Sequence, residues 1–104
     1  MDFGLSPDDI LLIKKTFKEY SKVQEVILFG SRAMGNYKPG SDIDLAILGS
    51  NITFNDILDL DNALEKLGLL YKFDLQNFKD INDPEVVEHI KRAGKLFYTN
   101  EDRP

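Results

Sequence analysis

The stretch Leu28–Leu48, LFGSRAMGNYKPGSDIDLAIL, decides how this chain folds. Apolar residues stand at both ends, and three glycines and a proline lie between Gly30 and Ser41. The ends read as strands, Glu25–Phe29 and Ile43–Leu48, because they are short, apolar and rich in β-branched residues. The middle reads as a turn in which a short helix begins near Ser31. Two strands this close in sequence cannot be joined by a standard parallel crossover. They are expected to run antiparallel or to be linked by a short helical turn.

Side chains alternate along a strand. Ile43, Leu45 and Ile47 therefore share one face, and Asp42, Asp44 and Ala46 share the other. The two carboxylates stand roughly 6–7 Å apart along the strand direction. Like charges this close repel unless something positive sits between them. A divalent cation with oxygen ligands would serve. Plainer readings exist for each: Asp42 as a turn residue after Gly-Ser, Asp44 as a solvated strand residue, and Asp74 as a partner of Lys72.

Outward from this stretch the chain gives clear helix signals. Ser6 is placed to cap a helix, Pro7 suits its first position, and Asp8 and Asp9 face the positive end of its dipole. Ile10, Ile13, Phe17 and Tyr20 recur at helical spacing, so this helix is expected to reach about Tyr20. Thr53 and Asp56 have capping-box spacing, Ile57, Leu60, Leu64 and Leu67 form an apolar stripe, and Gly68 ends it. Leu70–Leu75 reads as a third strand in which Asp74 lies opposite the apolar set Tyr71, Phe73 and Leu75. Asp83-Pro84 opens another helix, closed at Gly94, and Lys95–Thr99 reads as a fourth strand. The fold class is α/β (α+β), with a small mixed sheet flanked by helices. If the second and third strands are neighbours, Asp42, Asp44 and Asp74 converge, as a one- or two-metal phosphoryl-transfer site requires.

Composition narrows the function. The chain has 104 residues, the size of a single small domain spanning 1–104, and its tail beyond Thr99 is expected to fray. It contains no cysteine, which excludes thiolate metal sites and thiol catalysis and fits a reducing, cytoplasmic setting. A net charge of −5 argues against gripping nucleic acid by general charge. No run approaches the ~20 apolar residues of a membrane span, and no secretory leader is expected.

Gly30-Ser31 directly follows the first strand. Glycine lets the backbone approach a ligand, and free N–H groups with the Ser31 hydroxyl suit phosphate oxygens. Arg32 is placed to add a charge-assisted contact. There is no P-loop, since no Gly-Lys-Ser/Thr follows. His89 falls on the helix after Asp83, beside Ile90, and is expected to lie away from the aspartate strands.

Taken together, Gly30-Ser31, ten intervening residues, Asp42-x-Asp44 and the later strand Asp74 resemble the pattern of DNA polymerase beta-like nucleotidyltransferases. FGSRAMGNYKPGSDIDLAI is similar in particular to the minimal nucleotidyltransferase (MNT) family. YKFDLQNF and VVEHIKRAGKLFY match that family's ending, so the resemblance spans nearly the whole chain. It implies that Gly30, Ser31, Arg32 and Ser41 belong to the nucleotide site. It implies that Asp42, Asp44 and Asp74 are catalytic, holding Mg²⁺ in a two-metal site, with Asp74 also activating the attacking hydroxyl. Met34 departs from the pattern, standing where many relatives carry a basic residue. The resemblance also implies an NTP substrate, ATP first, and a helical HEPN-type toxin partner. That partner would be neutralised by adenylylation of a tyrosine, in a complex with this chain as antitoxin. Two alternatives are a non-catalytic antitoxin that acts by contact and a small-molecule nucleotidyltransferase of the aminoglycoside-modifying type. The intact Asp42, Asp44 and Asp74 triplet favours catalysis, and no acceptor-binding domain is expected, which counts against the small-molecule type.

Overall fold

In a computed structural model that describes residues 2–100, the elements follow the order α1 (Pro7–Lys18), β1 (Val23–Phe29), α2 (Ser31–Met34), β2 (Ile43–Gly49), α3 (Phe54–Glu65), β3 (Phe73–Asn77), α4 (Pro84–Ala93) and β4 (Lys95–Thr99). A single 3₁₀ turn, Phe78–Asp80, follows β3. The four strands form one mixed sheet in the order β3-β2-β1-β4. The β1–β2 and β1–β4 pairs are antiparallel, and β2–β3 is parallel. Both expectations for the β1–β2 link hold, because the strands are antiparallel and the four-residue helix α2 sits in the connection.

The helix starts form as their sequences dictate. Ser6 Oγ accepts from the Asp9 N–H at 3.1 Å. Thr53 and Asp56 make a reciprocal capping box, each side chain taking the other's backbone N–H. Asp83 caps α4, and Pro84 follows at its first turn. Each such cap contributes about 1 kcal/mol. α1 stops at Lys18, two residues short of the expected end, but Tyr20 still packs against the core.

That core lies on one face of the sheet. Ile43, Leu45 and Ile47 of β2 and Val26 and Leu28 of β1 are fully buried there with Ile13, Phe17, Leu60 and Leu64 from α1 and α3. Burying side chains of this size contributes about 1.5–3 kcal/mol each. The opposite face is covered in part by α4, whose Ile90 is buried and whose end at Gly94 lies against Ile27. Ala46, on the same face as the aspartates by alternation, is likewise buried rather than solvated.

β3 lies three residues later than expected at its start, and Leu70 is fully exposed. The reason is the ladder. β3 pairs with β2 alone, and that register begins at Ile43 opposite Phe73 and ends at Ile47 opposite Asn77. Backbone pairing carries the strand through polar Gln76 and Asn77, and the Asn77 amide donates to the Ile52 carbonyl at 2.9 Å. Thr99 and Asn100 are ordered into the sheet edge by the β1–β4 pairing and an Asn100 N–H bond to the Gln24 carbonyl; the rest of the tail expected to fray lies outside the described residues. Among the described residues no helix is long and apolar enough to cross a membrane.

Candidate active site

Asp42, Asp44 and Asp74 come together at one end of the β2–β3 pair. Asp44 and Asp74 are direct register partners across the parallel ladder, and Asp42 immediately precedes β2. Asp42 and Asp74 are exposed, whereas Asp44 is half-buried. Burial raises the Asp44 pKa above its ordinary 3.8, and repulsion from Asp74 and then Asp42 adds to this, with His89 opposing. No lysine or arginine forms an ion pair with any of the three among the described residues. Among the described residues Asp74 has one side-chain partner, the Gln76 amide, which donates to Oδ1 at 3.2 Å. The plainer alternative, an ion pair of Asp74 with Lys72, is not formed among the described residues.

The carboxylates satisfy one requirement of a hard divalent cation, oxygen donors of uncompensated negative charge. They are not drawn into a finished cage: among the described residues no group of three or more His, Cys, Asp or Glu side chains is arranged to hold a metal ion as it stands. The donor set therefore fits such an ion chemically, with its remaining ligands left to phosphate or water.

Gly30 closes the other side. Its backbone has φ 76° and ψ −156°, a region open essentially to glycine. A Cβ at this position would also collide with Asp44 Oδ2. The glycine is thus required twice, by backbone conformation and by the nearness of the carboxylate. The Ser31 hydroxyl has no hydrogen-bond partner among the described residues. The Gly30 carbonyl accepts from the Met34 N–H at 3.2 Å, fixing the turn.

Two expectations are corrected by the structure. Arg32 does not offer its guanidinium to a phosphate at the surface. It is 2% exposed and points inward, donating to the Phe3 carbonyl at 2.9 Å and, through Nε and a terminal nitrogen, to the Ser41 carbonyl. Tyr37 and Tyr71 flank the guanidinium. Arg32 is a brace between the N-terminal segment, α2 and the start of β2. Ser41 belongs to the same brace: its hydroxyl accepts from the Lys38 N–H at 2.8 Å, and its own N–H donates to the Lys38 carbonyl.

The second correction is His89. It lies at the site, not away from it, with Nε2 accepting from the Gly30 N–H at 3.1 Å and the ring edge-on to Phe29. Sequence periodicity placed His89 on α4 correctly but carried no signal for the face of the sheet that α4 covers.

This fold and site define a nucleotidyltransferase of the polymerase beta type. The sequence pattern of the family described as "Polymerase beta, Nucleotidyltransferase" matches residues 12–103, and the chain belongs to that family. Two proteins of Methanocaldococcus jannaschii, each named "Putative protein adenylyltransferase", are similar to it. One is 39% identical over 82 residues, covering 75% of this chain and 80% of its own length. The other is 37% identical over 79 residues with the same coverage. Among solved structures, a toxin–antitoxin crystallised with AMP-PNP superposes with a TM-score of 0.73 at 23% identity, covering 88% of this chain and 74% of its own. The MntA-HepT toxin–antitoxin superposes at 0.67 and 21% identity, covering 90% and 73%. These structural likenesses establish the fold.

Proposed function

We propose that this chain transfers a nucleoside monophosphate, AMP from ATP, to the tyrosine hydroxyl of a helical HEPN-type toxin and thereby acts as its antitoxin. The observation that carries the reading is the register pairing of Asp44 with Asp74, with Asp42 beside them and no lysine or arginine paired to any of the three. The names of the M. jannaschii relatives support protein adenylylation, and the toxin–antitoxin neighbours support the partner.

Asp42 and Asp44, with Asp74 as a further ligand, would hold Mg²⁺ ions, which neutralise charge on the phosphates and on the attacking and leaving oxygens. Ser31 and the turn around Gly30 bind the phosphates through hydroxyl and backbone N–H donors. Asp74 keeps Oδ2 free of the Gln76 contact and takes the proton of the acceptor hydroxyl. The acceptor oxygen bonds to the α-phosphorus as the bond to pyrophosphate breaks. Positioning and charge suffice for such a transfer.

The test is incubation with labelled ATP, Mg²⁺ and the HEPN-type product of the adjacent gene. Label on that product supports the proposal. Tight binding without label assigns the chain to a contact-only antitoxin, and label found only on an added small molecule assigns it to small-molecule transfer. Asp42→Asn with Asp44→Asn should abolish labelling while leaving the far-ultraviolet circular dichroism unchanged. Changing residues that only orient metal ligands typically lowers affinity or activity ~10–100-fold, so removing two ligands should exceed that.

A further inference from the structure

We propose that His89 is a positioning residue for the nucleotide turn: it holds the Gly30 peptide in place and thereby selects which donors of that turn face the phosphates. The inference rests on the reading of Gly30-Ser31 as the phosphate turn. Two elements far apart in sequence meet at this bond, α4 and the exit of β1. The histidine Nε2 lone pair is committed to the Gly30 N–H, so in the neutral ring Nδ1 carries the proton. Edge-on contact with Phe29, centroids 6.2 Å apart, fixes the ring plane.

The arrangement has two consequences. Glycine reaches the backbone conformation of Gly30 without strain but reaches many others as readily, so the turn must be held by contacts from outside it. The His89 bond on its N–H and the Met34 bond on its carbonyl supply that constraint from both sides. In addition, the Gly30 N–H is taken, so phosphate must be met by donors further along the turn, the Ser31 hydroxyl first among them. His89 is then no general base, because the nitrogen nearest the turn has no lone pair to spare.

Two variants separate the hydrogen bond from the packing. His89→Phe keeps a ring against Phe29 but offers no acceptor. His89→Gln places an amide oxygen close to the position of Nε2. Each is examined by circular dichroism, by hydrogen exchange of the Gly30 amide, and by calorimetric titration with ATP in Mg²⁺. The Gly30 amide should be protected in the wild type and in His89→Gln and exchange quickly in His89→Phe. Nucleotide affinity should fall about tenfold in His89→Phe, as expected for one hydrogen bond's worth of pre-organisation, and return to within about twofold in His89→Gln. Unchanged affinity in His89→Phe, or equal loss in both folded variants, overturns the role of His89 alone. A wild type that takes up no nucleotide while its Gly30 amide stays protected overturns the phosphate-turn reading, and this inference with it.

Discussion

Asp44 and Asp74 stand directly opposite each other on adjacent parallel strands, and the Asp74 charge adds to burial in making Asp44 reluctant to ionise. Burial is the largest cause, and the Asp74 charge is next. A carboxyl whose folded pKa is raised contributes stability below its unfolded pKa and loses it as pH rises through the folded one. The metal-free chain should therefore lose stability above about pH 4 from this residue. Asp74→Asn removes one repulsion, so the Asp44 side-chain carbon should titrate at lower pH by NMR, and the thermal midpoint at pH 7 should rise. An Asp44 titration that does not move in Asp74→Asn would show that the two carboxylates are not coupled.

Gly30→Ala tests the tight approach of turn and carboxylate. The substituted residue is strained by its positive φ and meets Asp44 Oδ2. Strain of this kind costs about 1–3 kcal/mol, and chemical denaturation should show a loss in that range. Gly35→Ala provides the control. Gly35 also has positive φ, but in the left-handed helical region, and a Cβ there meets nothing within 4 Å, so it carries a milder strain and no collision. Transfer activity should fall further in Gly30→Ala than in Gly35→Ala, because only the former displaces Asp44.

Local pattern was enough to read most of this fold, and it failed where the controlling contact was distant in sequence. Alternation along Ile43–Leu48 assigned the core face and the carboxylate face, and cap residues Ser6, Thr53 and Asp83 set three helix starts within a residue. Asp74 was legible because Tyr71, Phe73 and Leu75 alternate around it. β3 begins later than its apolar pattern suggests because its extent follows from the β2 ladder, which composition does not encode. Arg32 looked like a surface cation in a polar turn, yet its burial depends on Phe3, Tyr37 and Tyr71, brought together only by the tertiary fold. The surroundings of His89 are hidden from local pattern for the same reason: 59 residues separate it from Gly30.

Acid stability should report a different part of the molecule. Asp56 is held at about 2, chiefly by its hydrogen bond to Lys22 and also by the Thr53 backbone N–H at the capping box. A depressed carboxylate pKa contributes stability above the unfolded value that is lost as pH falls through the folded one. The affected window runs from about pH 4 down to about pH 2. Lys22→Met should raise the Asp56 titration and move the midpoint of acid unfolding to higher pH. It should leave nucleotide transfer at pH 7 unchanged, since neither residue touches the carboxylate site.

Arg32→Lys distinguishes a brace from a phosphate ligand. A guanidinium can serve the Phe3 and Ser41 carbonyls at once through its planar fork, and it stacks between Tyr37 and Tyr71. An ammonium keeps the charge but not the fork or the flat stacking surface. Hydrogen bonds to charged groups contribute about 1.5–3 kcal/mol, and the lysine keeps one of them at best. With two of three such bonds lost, urea unfolding should show a loss of about 3 kcal/mol or more, with fluorescence of the flanking tyrosines altered in the folded baseline. Nucleotide affinity in the folded fraction should change by less than about threefold, because the guanidinium faces inward. The opposite pattern, full stability with a large loss of nucleotide affinity, would return Arg32 to the phosphate site.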